Sequence, residues 1–186
     1  MIDMTASSDK EEKNQNQNNK KISEATGLSC TARAAIDHWV RKYPVGKQRS
    51  AVMQALMIVQ EENGGYLTSE LMEAVAKYLN MPPVAVLEVA SFYSMYEHAP
   101  IGKYKISICT NVPCQLKGCK KLVKYLEQKC QAKLGENSPD GKYTLRSVEC
   151  MGACVGAPML EVNKIYYENL TEEKIDQILN QLDENK

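Results

Sequence analysis

The sequence has no charge excess of either sign: 23 lysines and arginines face 23 aspartates and glutamates. A nucleic-acid binder shows a basic excess, so that class is disfavoured. No apolar run approaches the roughly 20 residues that cross a bilayer, which leaves any membrane association to partners. Both glycine signatures that cradle phosphates, G-x-G-x-x-G after a strand and G-x-x-x-x-G-K-S/T, are missing. Gly64-Gly65 reads as a helix stop, and the chain by itself is expected to bind neither a nicotinamide dinucleotide nor a flavin. A C-x-x-C pair at a helix start, the mark of a dithiol oxidoreductase, is absent too. Histidine is scarce: His38 and His98 stand alone and read as surface or satisfied residues rather than ligands.

The opening stretch MIDMTASSDKEEKNQNQNNKK has no apolar core and carries acids where a transit peptide is acid-poor. Its Asn, Gln, Lys and Glu bury too little surface to offset chain entropy, so residues 1–21 are expected to be disordered. The protein is then expected to stay in the reducing compartment where it is made. There, seven cysteines, an odd number, do not read as a disulfide framework. Cys30 stands near the start; Cys109, Cys114, Cys119, Cys130, Cys150 and Cys154 all fall in the last half.

With 186 residues, 44% of them hydrophobic, the chain is long enough for one ordinary domain or two small ones. The pattern changes character near Pro100. Before it, four helices follow one another. CTARAAIDHWVRKY is capped by Ser29 or Thr31 and stopped by Pro44; Ser50 caps AVMQALMIVQEEN; Thr68 caps SELMEAVAKYLN; Pro82-Pro83 opens VAVLEVASFYSMYEHA. Short connections make this a helical bundle or arm. After it, Tyr104-Lys105-Ile106-Ser107-Ile108-Cys109 alternates as a strand, residues 115–131 read as a helix, and residues 143–148 as a second strand. Residues 159–162 and 164–167 form a hairpin around Asn163-Lys164, and Thr171 caps a last helix. The order β-α-β-β-β-α describes a small α/β sheet domain.

Two cysteine pairs sit where strands end. Cys109 closes the first strand, with Cys114 five residues on; Cys150 follows the second, with Cys154 four residues on. If those strands are neighbours, four thiolates converge on loops at one edge, which is a metal or cluster site. Cys114 at a helix start is expected to have its thiol pKa lowered by the amide dipoles. Gly152 permits a tight turn with amides aimed at sulfur. Lys117, Lys120 and Lys121 either moderate the site's charge or form a solvated helix face. Zinc sites with four cysteines usually show C-x2-C knuckles; the wider spacers favour a two-iron cluster, with zinc and a metal-free redox thiol site as alternatives.

The runs CTNVPCQLKGCKKLV, DGKYTLRSVECMGACVGAPMLEVN and IYYENLTEEKIDQIL strongly resemble the small [2Fe–2S] subunit of NADH:quinone oxidoreductase (respiratory complex I), the NuoE type, as does the helical half from RKYPVGKQRS to SFYSMY. The resemblance covers roughly residues 29–182. It implies an α+β protein, a helical domain (22–99) followed by a thioredoxin-like ferredoxin domain (100–186), with the disordered leader (1–21) lying outside the resemblance. It implies a [2Fe–2S] cluster held by Cys109, Cys114, Cys150 and Cys154. The implied partners are a flavoprotein subunit carrying FMN and the NADH site, and a larger Fe–S subunit. The chain is then an electron-transfer subunit of an enzyme, with no complete active site of its own. The implied location is peripheral, on the cytoplasmic side of a bacterial inner membrane or the matrix side in a mitochondrion. The same module recurs in NAD-linked hydrogenases and formate dehydrogenases, which is the alternative, beside a zinc-stabilised scaffold.

Other conspicuous residues have plainer readings. Cys119 and Cys130 lie on an apolar helix stripe as small hydrophobes, and Cys30 reads as inert. Pro158 invites a cis reading, but a trans bond is the expectation. Residues 91–96, SFYSMY, read as core or subunit contact rather than a cofactor box. Asn169-Leu170-Thr171 reads as a strand end plus helix cap rather than a glycosylation site.

Overall fold

A computed structural model describes residues 27–184; the expectation of disorder for residues 1–21 lies outside them. The chain divides into two compact units, Met1–Pro100 and Ile101–Lys186. In the first, helices α1 (Cys30–Val40), α2 (Val52–Glu62), α3 (Ser69–Tyr78) and α4 (Pro83–Phe92) follow in order. Ser29 caps α1, its Oγ accepting from the Ala32 N–H at 2.9 Å, and Thr68 caps α3 through the Leu71 N–H. Pro83 opens α4, where its missing N–H costs nothing. Ile36, Leu56, Val59, Val75, Leu79 and Val86 meet in one apolar core.

Two expectations for this unit are corrected. Ser50 does not cap α2: Gln48–Ala51 forms a 3₁₀ turn that runs straight into the helix, and the Ser50 N–H bonds to the Lys47 carbonyl. The fourth helix ends at Phe92, because the chain turns extended at Tyr93. That turn buries Tyr96, whose hydroxyl donates to the Met53 carbonyl at 2.8 Å. Phe92 is left 80% exposed, so residues 91–96 divide between core and surface.

The second unit contains β1 (Tyr104–Cys109), α5 (Val112–Leu116), α6 (Cys119–Cys130), β2 (Tyr143–Val148), β3 (Leu160–Val162), β4 (Ile165–Tyr167) and α7 (Glu172–Glu184). The sheet order is β2-β1-β3-β4. β1 and β2 are parallel, in register from Tyr104↔Tyr143 to Cys109↔Val148. β3 is antiparallel to both β1 and β4. Asn163 and Lys164 both have positive φ, 46° and 73°, the pair of conformations a tight two-residue hairpin needs. Thr171 caps α7 by accepting from the Lys174 N–H.

Period-two alternation puts Tyr104, Ile106 and Ile108 on one face, where they pack with Leu145, Leu160 and Val162 and with α6 and α7 through Leu122, Leu126, Ile175 and Ile178. Cys109 is out of phase with that face. It joins a separate apolar cluster with Cys114, Cys119, Ala157 and Met159. The single helix expected over residues 115–131 is instead broken in two. Gly118 takes a left-handed conformation, φ 87°, which glycine adopts without steric cost. The Ala157–Pro158 bond is cis, against the trans expectation.

Candidate metal centre

The register of β1 and β2 sets the site. Because Cys109 is level with Val148, the loop after each strand leaves from the same end of the sheet. The link is direct: Cys109 Sγ donates to the Glu149 carbonyl at 3.5 Å, and the Thr110 N–H bonds to the Val148 carbonyl at 2.9 Å. The first loop is fastened by Gln115, which donates to the Thr110 carbonyl at 2.8 Å, and by Asn111, which accepts from the Val112 N–H. α5 thus begins inside the first pair, and Cys114 is its third residue.

The thiols form two pairs. Cys109 and Cys114 are 3% and 1% exposed and hydrogen-bond to each other. Cys150 and Cys154 are exposed and likewise hydrogen-bonded. The Cys109 charge adds to the raised pKa of Cys114, Cys119 and Cys154 alike. Among the described residues, no three His, Cys, Asp or Glu side chains converge closely enough to hold one metal ion.

Electrostatics corrects one expectation. The Cys114 thiol is not lowered: burial, then its hydrogen bond with Cys109, push it up to about 11. Burial disfavours the thiolate, and a helix of five residues does not offset that. The Cys154 thiol is raised too, first by its hydrogen bond with Cys150. Lys117, Lys120 and Lys121 are all exposed, a solvated face. Without metal, the raised Cys114 pKa favours the folded state below the ordinary thiol pKa of 9.0, and that contribution is lost as pH rises toward about 11. Metal binding runs the other way, because it expels the thiol protons. Cobalt(II) titrations of the apoprotein at pH 7 and pH 8 are therefore expected to show affinity rising at least about tenfold per pH unit. A pH-independent affinity contradicts thiol ligation.

The Gly152 N–H, at φ 79°, donates to Cys150 Sγ at 3.4 Å, the glycine turn with an amide aimed at sulfur that the sequence led one to expect. The structure also places residues the sequence did not mark. The Tyr166 hydroxyl donates to the Met151 carbonyl at 3.2 Å. Met159 is buried against Cys109 and Cys114, with Met151 and Ala153 packed on the same cluster. Tyr166 reads in sequence as an ordinary strand residue, and no local signal ties it to Met151. Of the remaining cysteines, Cys119 and Cys130 are buried, Cys119 in the same apolar cluster as Cys109 and Cys114, and Cys30 is exposed beside the Arg33 guanidinium. His98 is satisfied by the Ala90 carbonyl at 3.1 Å, and His38 lies edge-on to Trp39.

Comparisons with known proteins give the chain's family. The family model described as thioredoxin-like [2Fe-2S] ferredoxin matches residues 36–183. The E-type subunit of NADH-quinone oxidoreductase from Rickettsia typhi is 43% identical over 142 residues, 76% of this chain and 84% of that one. The mitochondrial NADH dehydrogenase [ubiquinone] flavoprotein 2 of Dictyostelium discoideum is 37% identical over 151 residues, 81% of this chain and 61% of that one. Among solved structures, an NAD+-reducing [NiFe]-hydrogenase in the air-oxidized state shares the fold, with a TM-score of 0.60 and 19% identity over 70% of this chain and 23% of its own. With a family match that spans both units and relatives aligned over most of their own length, the chain belongs to the thioredoxin-like [2Fe–2S] ferredoxin family.

Proposed function

We propose that this chain is the [2Fe–2S] electron-transfer subunit of an NADH:quinone oxidoreductase, with Cys109 and Cys114 on one iron and Cys150 and Cys154 on the other. The observation that supports the reading is that the loops carrying the two thiol pairs leave from adjacent ends of parallel strands and are tied there by the contact of Cys109 Sγ with the Glu149 carbonyl. When bound, such a cluster takes up and releases one electron at a time. The protein's part is to hold, bury and tune it. Cys109, Cys114, Met159 and Ala157 close one side against water, the Gly152 N–H addresses a sulfur, and the second thiol pair faces outward.

That outward side suits a protein partner. Val112 and Leu116 beside Cys114, and Val155 beside Cys154, are exposed apolar side chains, of the kind that mark contact surfaces. The partner is the flavoprotein subunit that carries FMN and oxidises NADH, with a larger Fe–S subunit in the same assembly. No helix among the described residues is long and apolar enough to cross a membrane. Attachment is through the complex, on the face where NADH is oxidised: the cytoplasmic side in a bacterium, the matrix side in a mitochondrion.

The test is a metal and sulfide assay joined to low-temperature EPR of the dithionite-reduced full chain, purified without oxygen. A brown protein with equal iron and sulfide and a spin-half signal is expected. A colourless protein carrying one zinc overturns the reading and favours a scaffold.

A further inference from the structure

One peptide group in the second cysteine loop is held from both ends. Its carbonyl belongs to Met151 and accepts from the Tyr166 hydroxyl at 3.2 Å. Its N–H belongs to Gly152 and points at Cys150 Sγ, 3.4 Å away. Fixing the carbonyl of a planar peptide fixes the direction of its N–H. The far end of the loop is held by Ala153 packing on the apolar cluster and by the 3₁₀ turn Cys154–Gly156, while Cys150 and Cys154 are exposed and Gly152 sits at φ 79°. Tyr166 comes from β4, whose short strand is paired to β3 and anchored by the tight turn at Asn163-Lys164. A side chain on the sheet's edge thereby reaches the outer cysteine loop.

We infer that Tyr166 is a positioning residue for the metal centre: its hydroxyl orients the Met151–Gly152 peptide so that the Gly152 N–H is directed at the Cys150 sulfur. This rests on the reading of Cys150 as a cluster ligand. The consequence is twofold. An N–H aimed at a ligand sulfur draws off negative charge and favours the reduced, more negative cluster, so it raises the reduction potential. Holding the loop also slows loss of the outer iron. Tyr166 touches no reacting atom; it acts through the peptide alone.

The experiment compares wild type, Tyr166→Phe and Tyr166→Leu, each as the full chain with its native cluster. Iron release to a ferrous chelator, the midpoint potential and the EPR g-values are measured, with thermal unfolding in parallel. Tyr166→Phe keeps the ring and removes only the hydroxyl. Iron release is expected to quicken by roughly 2- to 10-fold, the factor one ordinary hydrogen bond is worth, while the potential shifts negative and the unfolding midpoint stays near that of wild type. Tyr166→Leu should match Tyr166→Phe in potential and g-values. If Tyr166→Phe behaves as wild type and only Tyr166→Leu differs, the ring packs and the hydroxyl does nothing, and the inference falls. If Tyr166→Phe lowers the unfolding midpoint steeply but leaves the potential and g-values unmoved, the role is structural and the inference falls likewise. A wild-type chain with no iron and sulfide overturns the electron-carrier reading instead, before any variant is compared.

Discussion

Cys154→Ser is expected to empty the site of iron and sulfide while leaving the fold intact. Loss of a residue that only hydrogen-bonds to a ligand already costs roughly 10–100-fold in metal affinity, so loss of a ligand takes the cluster below detection. Cys109→Ser, Cys114→Ser and Cys150→Ser share that outcome, but the two pairs differ in what else they lose. Cys109 and Cys114 are almost wholly buried, and serine there puts a hydroxyl among apolar neighbours at about 1–3 kcal/mol if it finds no partner. Cys150 and Cys154 are exposed, so serine there leaves the apoprotein's stability near that of wild type. The clean comparison is therefore Cys154→Ser against Cys119→Ala. Cys119 is buried in the same apolar cluster but contributes no ligand in this reading, and its variant should keep iron, sulfide and visible absorption. A normal cluster in Cys154→Ser, by absorption and iron content, refutes the ligand assignment.

Ile106→Ala should lower the stability of the sheet unit by about 2–5 kcal/mol, the usual cost of truncating a buried isoleucine to alanine. Ile106 is 1% exposed at the centre of β1, packed with the strands and with α6 and α7. In a unit of this size each kilocalorie moves the unfolding midpoint by roughly 4–8 °C, so a drop of about 10 °C or more is expected. Ile165→Ala makes the same chemical change at a residue 61% exposed on β4 and should fall within about 0.5 kcal/mol of wild type. Thermal unfolding followed by circular dichroism reads both. Equal losses at the two positions contradict the core described above.

Those two isoleucines mark the limit of what can be read along the chain. Both stand in β-rich runs flanked by tyrosines and lysines, and no local property separates them. What could be read was local. Ser29, Thr68 and Thr171 cap helices through their own side chains. The bounds of β1 and β2 follow from alternation, and Asn163-Lys164 turns because asparagine tolerates positive φ beside a tight reversal. The cysteines were conspicuous by type and spacing. Where expectation failed, a distant partner decided. The helix over residues 115–131 breaks at Gly118, so that Cys114 and Cys119 turn together into one apolar cluster. The Cys114 thiol is raised, because burial outweighs a short helix's dipole.

The sequence by itself determined most of the helices and strands, where most of them start, and which thiols are available. The tertiary structure alone decided that β1 and β2 lie side by side in parallel register, that one thiol pair is buried and the other exposed, and that Tyr166 reaches Met151. The reason is physical. Caps, turns and alternation are set by interactions within a few residues, whereas desolvation and strand pairing depend on groups tens of residues apart whose proximity exists only once the chain has folded.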